Sequence, residues 1–169
     1  MIVVNKVDAR QTFEAVDGRV SDTERKPMFQ LESQLVRELE GLLVSGENPF
    51  SQLALAFEFN YVEGKVDVVG SNGDGDLFSF EAKLNRWKTA VHQAYRNTSF
   101  SHYSYVVLPA DAAKHAVKRR HEFERRGVGL CAVDQNGLTI HIEAARKQPL
   151  RPWLTNTAIE YIREEKSVI

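Results

Sequence analysis

The chain has one cysteine, Cys131, among its 169 residues, so no internal disulfide can form. That cysteine lies in the apolar run Val128 to Val133, the setting of a buried core thiol and not of a nucleophile. No apolar run approaches the roughly 18 residues needed to span a membrane. The first stretch, MIVVNKVDARQTFEAVDGR, mixes acids among its apolar residues and lacks the basic-then-apolar layout of a signal peptide. A cytoplasmic protein is therefore expected. The five histidines show neither HExxH nor Cys/His clustering, so there is no zinc signature. No GxxxxGK[ST] loop or GxSxG elbow is present, which removes support for P-loop nucleotide hydrolysis and for a serine-hydrolase elbow. The acidic turn SNGDGD has the wrong spacing for a DxDxDG calcium loop and no distal glutamate at the required offset.

Net charge is also low, at −1, which argues against a uniformly basic surface. Its distribution is uneven. Residues 1–60 carry 6 basic and 10 acidic side chains, and residues 61–84 carry 2 and 5. Residues 85–126 reverse this with 9 basic and 3 acidic, a net of +6. Such a block suits phosphate contacts, or equally a solvated helix face. Its candidates are Arg86, Lys88, Arg96, Lys118, Arg119, Arg120, Arg125 and Arg126. Residues 118 to 120 are consecutive and must spread around a helix, so several are ordinary solvated charges.

The length suits one domain with a sizeable core, and no repeat or linker divides it. Ile2-Val3-Val4 reads as a short strand, Asp17-Gly18 as a turn and Ser21 to Lys26 as loop. Phe29 to Val44 has helical period, with Leu31, Leu35, Leu39 and Leu42 as its apolar stripe. Gly46, Asn48 and Pro49 end it. Leu53 to Tyr61, Lys65 to Gly70 and Leu77 to Leu84 follow as strands. Asn85 to Asn97 reads as a helix with Trp87 and Val91 inward and Ala94 and Tyr95 as further inward positions. Tyr103 to Leu108 is a strand, Ala110 to Arg126 a second, basic helix, and Gly127 to Val133 and Leu138 to Ala144 a strand pair around the turn DQNG. Thr155 to Lys166 is a last helix. The order is α-β-β-β-α-β-α-β-β-α, an α/β fold.

The segment KVDVVGSNGDGDLFSFEAK, from Lys65 to Lys83, carries the chemistry. Two apolar runs joined by a Gly/Asn/Asp turn make a hairpin that can bring Asp67 beside Glu81. Glu81 and Lys83 are two residues apart on a strand and share a face. Strand-borne acids flanked by apolar residues need a partner or an ion. Two carboxylates and an ammonium can bind a divalent cation and act on a water near a phosphate. The same geometry also allows Lys83 to form only a salt bridge to Glu81 or Asp67.

Asp67, the turn, and Glu81-Ala82-Lys83 resemble the D…ExK core of the PD-(D/E)XK nuclease superfamily. Val66 stands where that family often has proline. The stretch αβββαβ from Phe29 to Leu108 resembles its common core, with residues 109–169 as a strand and helix extension. The resemblance implies a restriction-endonuclease-like fold, a central mixed β-sheet flanked by helices. It implies a Mg²⁺-dependent deoxyribonuclease, with Mn²⁺ as a substitute, cleaving by in-line attack of an activated water. Asp67, Glu81, the Ala82 backbone carbonyl and Glu32 would hold the metal, and Lys83 would assist the attack. Glu32 borders the inward face of the first helix, with Glu38 and Glu40 as competitors. Gln93, in WKTAVHQAYRN, matches a glutamine that several such subfamilies carry near the site, and a solvent-facing Gln93 is the alternative. DNA is the implied partner. Nucleases of this fold often act as dimers, so a homodimer is a further implied partner, and a catalytically inactive nuclease-fold subunit binding DNA or protein in a larger assembly is the alternative.

Overall fold

The computed structural model describes residues 26–167. The expected strand at Ile2-Val3-Val4 and turn at Asp17-Gly18 lie outside the described residues. The elements are α1 (Glu32–Ser45), β1 (Ala54–Tyr61), β2 (Gly64–Ser71), β3 (Leu77–Ala82), α2 (Trp87–Asn97), β4 (Tyr103–Pro109), α3 (Ala110–Ala116), a 3₁₀ turn (Val117–Arg119), α4 (Arg120–Glu124), β5 (Gly129–Asp134), β6 (Gly137–Ile142) and α5 (Pro152–Ser167). The six strands form one sheet in sequence order. β3, β4 and β5 run parallel, as the helical crossovers between them require, and the outer pairs are antiparallel. The architecture is α/β with a six-stranded mixed sheet. None of the described helices is long and apolar enough to cross a membrane.

One sheet face packs on α1 and the other on α2, α3, α4 and α5. Leu35, Leu39 and Leu43, spaced by four, meet Val68, Phe80, Tyr105 and Val107. Behind the sheet, Ala90, Val91 and Ala94 meet Val106 and Leu108, and Leu154, Ala158 and Ile162 of α5 meet Phe59, Val66 and Val69. Cys131 is fully buried in the α1-side core, as its apolar neighbours imply.

Three expectations are corrected. Leu31 is not on the buried stripe: it is 60% exposed and stands just before the first helical residue. The Gln34 side chain caps that helix, accepting from the Gln30 and Leu31 backbone N–H groups at 2.8 and 3.1 Å. Tyr95 is 51% exposed, because the inward face of α2 runs through Ala90, Val91, Ala94 and Asn97. The basic helix expected over 110–126 is broken into α3, the 3₁₀ turn and α4. The break falls at Arg119, whose φ is −110° and ψ is 33°.

The β1–β2 hairpin changes face part-way along. Leu55 and Phe57 pack on the α1 side, but Phe59 and Tyr61 pack with α5. On β2, Val68 lies on the α1 side and Val66 on the α5 side. An uninterrupted strand keeps residues two apart on one face. The irregularity is centred on Glu58 and Asp67, which the pairing skips between Phe57↔Val68 and Phe59↔Val66. Glu58 takes a left-handed φ of 55°, a conformation that costs a non-glycine residue about 1 kcal/mol.

Candidate functional site

β2 and β3 pair from Ser71↔Leu77 only as far as Val68↔Phe80. The next position in that register sets Asp67 opposite Glu81, and there the side chain replaces the backbone ladder. The Ala82 N–H donates to Asp67 Oδ2 at 2.9 Å. β3 continues along β4 through Glu81↔Val106 and Ala82↔Val107. Asp67 thus sits where the strands part, and Glu81 and Lys83 extend past the end of the hairpin ladder.

Glu81 is 2% exposed. Its Oε1 accepts from Asn97 Nδ2 at 2.7 Å, and Asn97 Oδ1 in turn accepts from the Tyr61 hydroxyl at 2.9 Å. Asn97 is held by a buried hydroxyl network. Ser101 Oγ donates to the Asn97 carbonyl, and Ser79 bonds both Ser101 and Ser104, tying the end of α2 to β3. Burial, and next the charge of Asp67, push the Glu81 carboxyl up to about 7, against the pull of the Asn97 hydrogen bond, Lys83 and Arg96. Burial also raises Asp67, opposed by the Ala82 N–H and Lys83.

Lys83 Nζ bonds Glu32 Oε2 at 3.1 Å, so the first helix does reach the site. The salt bridge is to Glu32, and not to Glu81 or Asp67 as the sequence alone allowed. Glu32 and Glu40, with Asp67, Ala82 and Lys65, line a cavity of about 360 Å³ between α1 and the hairpin; exposed Glu38 does not. Glu58 and Lys65 close its rim with an ion pair at 3.0 Å. Burial, the largest influence, raises the Glu40 carboxyl. The structure therefore joins Asp67 to Ala82 and Lys83 to Glu32, while the Glu81 carboxyl, within electrostatic reach of Asp67 and Lys83, is turned to Asn97 of α2 and does not line the cavity.

Gln93 lies one helical turn before Asn97, on the same face of α2. It is half-buried, and its Oε1 is a buried atom without a hydrogen-bond partner. The basic candidates divide. Arg120, Arg125 and Arg126 are paired to Glu124 and Glu122, and Arg96 donates to the Glu63 carbonyl. Arg86, Lys88, Lys118 and Arg119 are exposed and form no ion pair among the described residues. Among the described residues no group of three or more His, Cys, Asp or Glu is gathered as a metal site.

Asn97, Tyr61 and Glu58 are parts of the site that sequence reasoning missed. Asn97 and Tyr61 are 36 residues apart and meet only through the fold. Glu58 carried a faint signal as the charged residue interrupting LALAFEFNY.

No family model matches the sequence, and no curated protein matches it. Among solved structures, the chain is similar to the SPO1766 protein of unknown function from Silicibacter pomeroyi. The TM-score is 0.59 at 18% identity, over 83% of this chain and 88% of that one. At that identity the likeness is one of fold, an α/β architecture built on a mixed sheet.

Proposed function

We propose that the chain is a divalent-cation-dependent nuclease with a restriction-endonuclease-like core that hydrolyses DNA phosphodiesters. What supports this is the meeting of Asp67, Glu81 and Lys83 where β2 and β3 part, with Glu32 joined to Lys83. The donor set fits a hard cation such as Mg²⁺, or Mn²⁺ in its place. The Asp67, Glu81 and Glu32 carboxylates and the Ala82 carbonyl offer only oxygen. Burial, and next the Asp67 charge, raise the Glu81 carboxyl, and a bound cation would relieve both. When bound, the cation polarises a phosphate and lowers the pKa of a water.

The chain's own residues supply the rest. Asn97 fixes the Glu81 carboxylate, and Tyr61 fixes Asn97. Lys83 presents an ammonium to charge developing on phosphate oxygens, and Glu32 holds it in place. The unpartnered Gln93 Oε1 is an acceptor for a water proton. Arg86, Lys88, Lys118 and Arg119, without ion-pair partners among the described residues, offer their charge to the DNA backbone.

A second reading, a nuclease-fold subunit that binds DNA or protein without cutting, is favoured by a different observation. Lys83 already has Glu32, and Glu81 already has Asn97, so both find partners within the chain. Calorimetric titration with Mn²⁺, wild type beside Asp67→Asn, separates the two. The nuclease reading expects binding that Asp67→Asn weakens at least about ten-fold. Absence of binding to the wild type favours the silent module. A panel of duplex DNA, single-stranded DNA and RNA in Mg²⁺ then tests the substrate, and exclusive RNA cleavage would replace DNA with RNA in the proposal.

A further inference from the structure

A second cavity of about 410 Å³ opens between α2 and α4. It shares no residue with the Asp67 cavity. Trp87 and Val91 make its apolar wall, and the Trp87 ring is braced by stacking on Phe123, 5.8 Å between centroids. Phe123 is fully buried, so this wall is anchored in the core. Cations converge on it from both helices. Lys88 comes from the first turn of α2, its ammonium 5.7 Å from the Trp87 ring, and Arg119 and Arg126 come from either end of α4. His92 and His121 add ring nitrogens.

One acid, Glu122, also lines the cavity. It is already consumed by Arg126 at 2.6 Å and Arg125 at 2.7 Å, with His121 at 3.1 Å. Those two arginines hold its carboxyl down to about 2. Lys88 and Arg119 have no such counter-charge among the described residues. An anion is what their geometry lacks, and a volume within the usual ligand-pocket range of roughly 300–1,000 Å³ exceeds the need of a bare inorganic ion. An aromatic wall beside unpaired cations suits a phosphate carried on a planar ring.

We infer that the cavity between α2 and α4 binds a nucleoside phosphate through Lys88 and Arg119, with Trp87 and Val91 against the nucleoside. The source is either a free nucleotide or the phosphorylated end of a strand. Lys88 and Arg119 are also among the cations proposed for the DNA backbone, but mononucleotide binding here does not depend on whether the chain cleaves anything.

The test uses the fluorescence of Trp87 in the full chain carrying Trp153→Phe, which removes the other tryptophan. Adenosine 5′-monophosphate should change the signal saturably, and adenosine should bind at least about ten-fold more weakly. Lys88→Glu and Arg119→Glu should each weaken the nucleotide about ten-fold or more. Both side chains are exposed, so melting temperatures should not move. A 5′-phosphorylated oligonucleotide that binds more tightly than the mononucleotide identifies a strand end as the source, and equal affinity identifies the free nucleotide. No saturable change with either probe would overturn the inference. So would equal affinity for adenosine and its monophosphate, or binding indifferent to both charge reversals.

Discussion

Asn97 Nδ2 lies 2.7 Å from Glu81 Oε1, a hydrogen bond between the last turn of α2 and the last residues of β3. It joins the helix that opens the basic block to the strand that carries the carboxylate. Because Asn97 donates to the ionised form, it pulls the Glu81 carboxyl down against burial. Asn97→Ala should therefore raise the Glu81 titration midpoint above its value of about 7, and it leaves the Tyr61 hydroxyl without its acceptor. Carbon-13 NMR of the Glu81 carboxyl through a pH series reads this directly. A midpoint that falls or stays put would mean the hydrogen bond does not form in solution.

The raised Glu81 carboxyl makes stability depend on pH in metal-free buffer. The folded state keeps the proton to about pH 7, whereas the unfolded chain releases it near its ordinary value of 4.5. Below that ordinary value both states are protonated and there is no penalty. As pH rises through the interval, only the unfolded state gains by ionising, so stability falls until the folded carboxyl also ionises. Glu81→Gln removes this loss. At pH 8 it should be more stable than wild type by about 1–3 kcal/mol, and well below the ordinary value of 4.5 the difference should vanish. Melting curves at both pH values, with chelator present, check it, and parallel pH profiles would contradict it.

Glu58 holds a left-handed backbone at the point where the hairpin changes face. Its ion pair with Lys65 is exposed and contributes little. Glu58→Gly should accordingly stabilise the chain by up to about 1 kcal/mol, because glycine adopts that φ without strain. Urea denaturation measures the change. A loss of 1 kcal/mol or more, on the order of a fully made polar contact, would show that the Glu58 side chain does more than rim the cavity.

Arg86 and Lys88 have no acidic partners among the described residues, so the proposal gives them to DNA phosphates. Reversing both to glutamate should weaken DNA binding and reduce the slope of log affinity against log salt by about one to two. Fluorescence anisotropy at several salt concentrations provides both numbers. An unchanged slope would move the DNA surface elsewhere.

Much of this arrangement was legible in the sequence because it is local. The turn from Ser71 to Asp76 sets the hairpin register, and the register sets Asp67 against Glu81. The leucine period placed α1, and Glu32, which the resemblance implied with Glu38 and Glu40 as competitors, bonds Lys83. What escaped is tertiary. Asn97 reaches Glu81 across 16 residues, and Tyr61 reaches Asn97 across 36, with no short-range pattern to announce either. The break at Arg119 has no proline or glycine to mark it. Instead Arg120 turns to bond the His141 carbonyl on β6 at 2.9 Å, a contact that local propensity cannot foresee. Leu31 fits the helical period but precedes the first turn, where the Gln34 cap and not burial decides its place.

The central claim is that Lys83 works on a phosphodiester beside the two carboxylates. Its ion pair with Glu32 is partly exposed, so Lys83→Ala should cost no more than about 1 kcal/mol of stability. The most direct measurement is cleavage of labelled plasmid and single-stranded DNA in Mg²⁺ or Mn²⁺, wild type beside Lys83→Ala, with melting temperatures recorded for both. The account predicts metal-dependent cleavage by the wild type and its loss in a variant that still folds. Equal cleavage by the two proteins, or none by the wild type on any substrate, would contradict it.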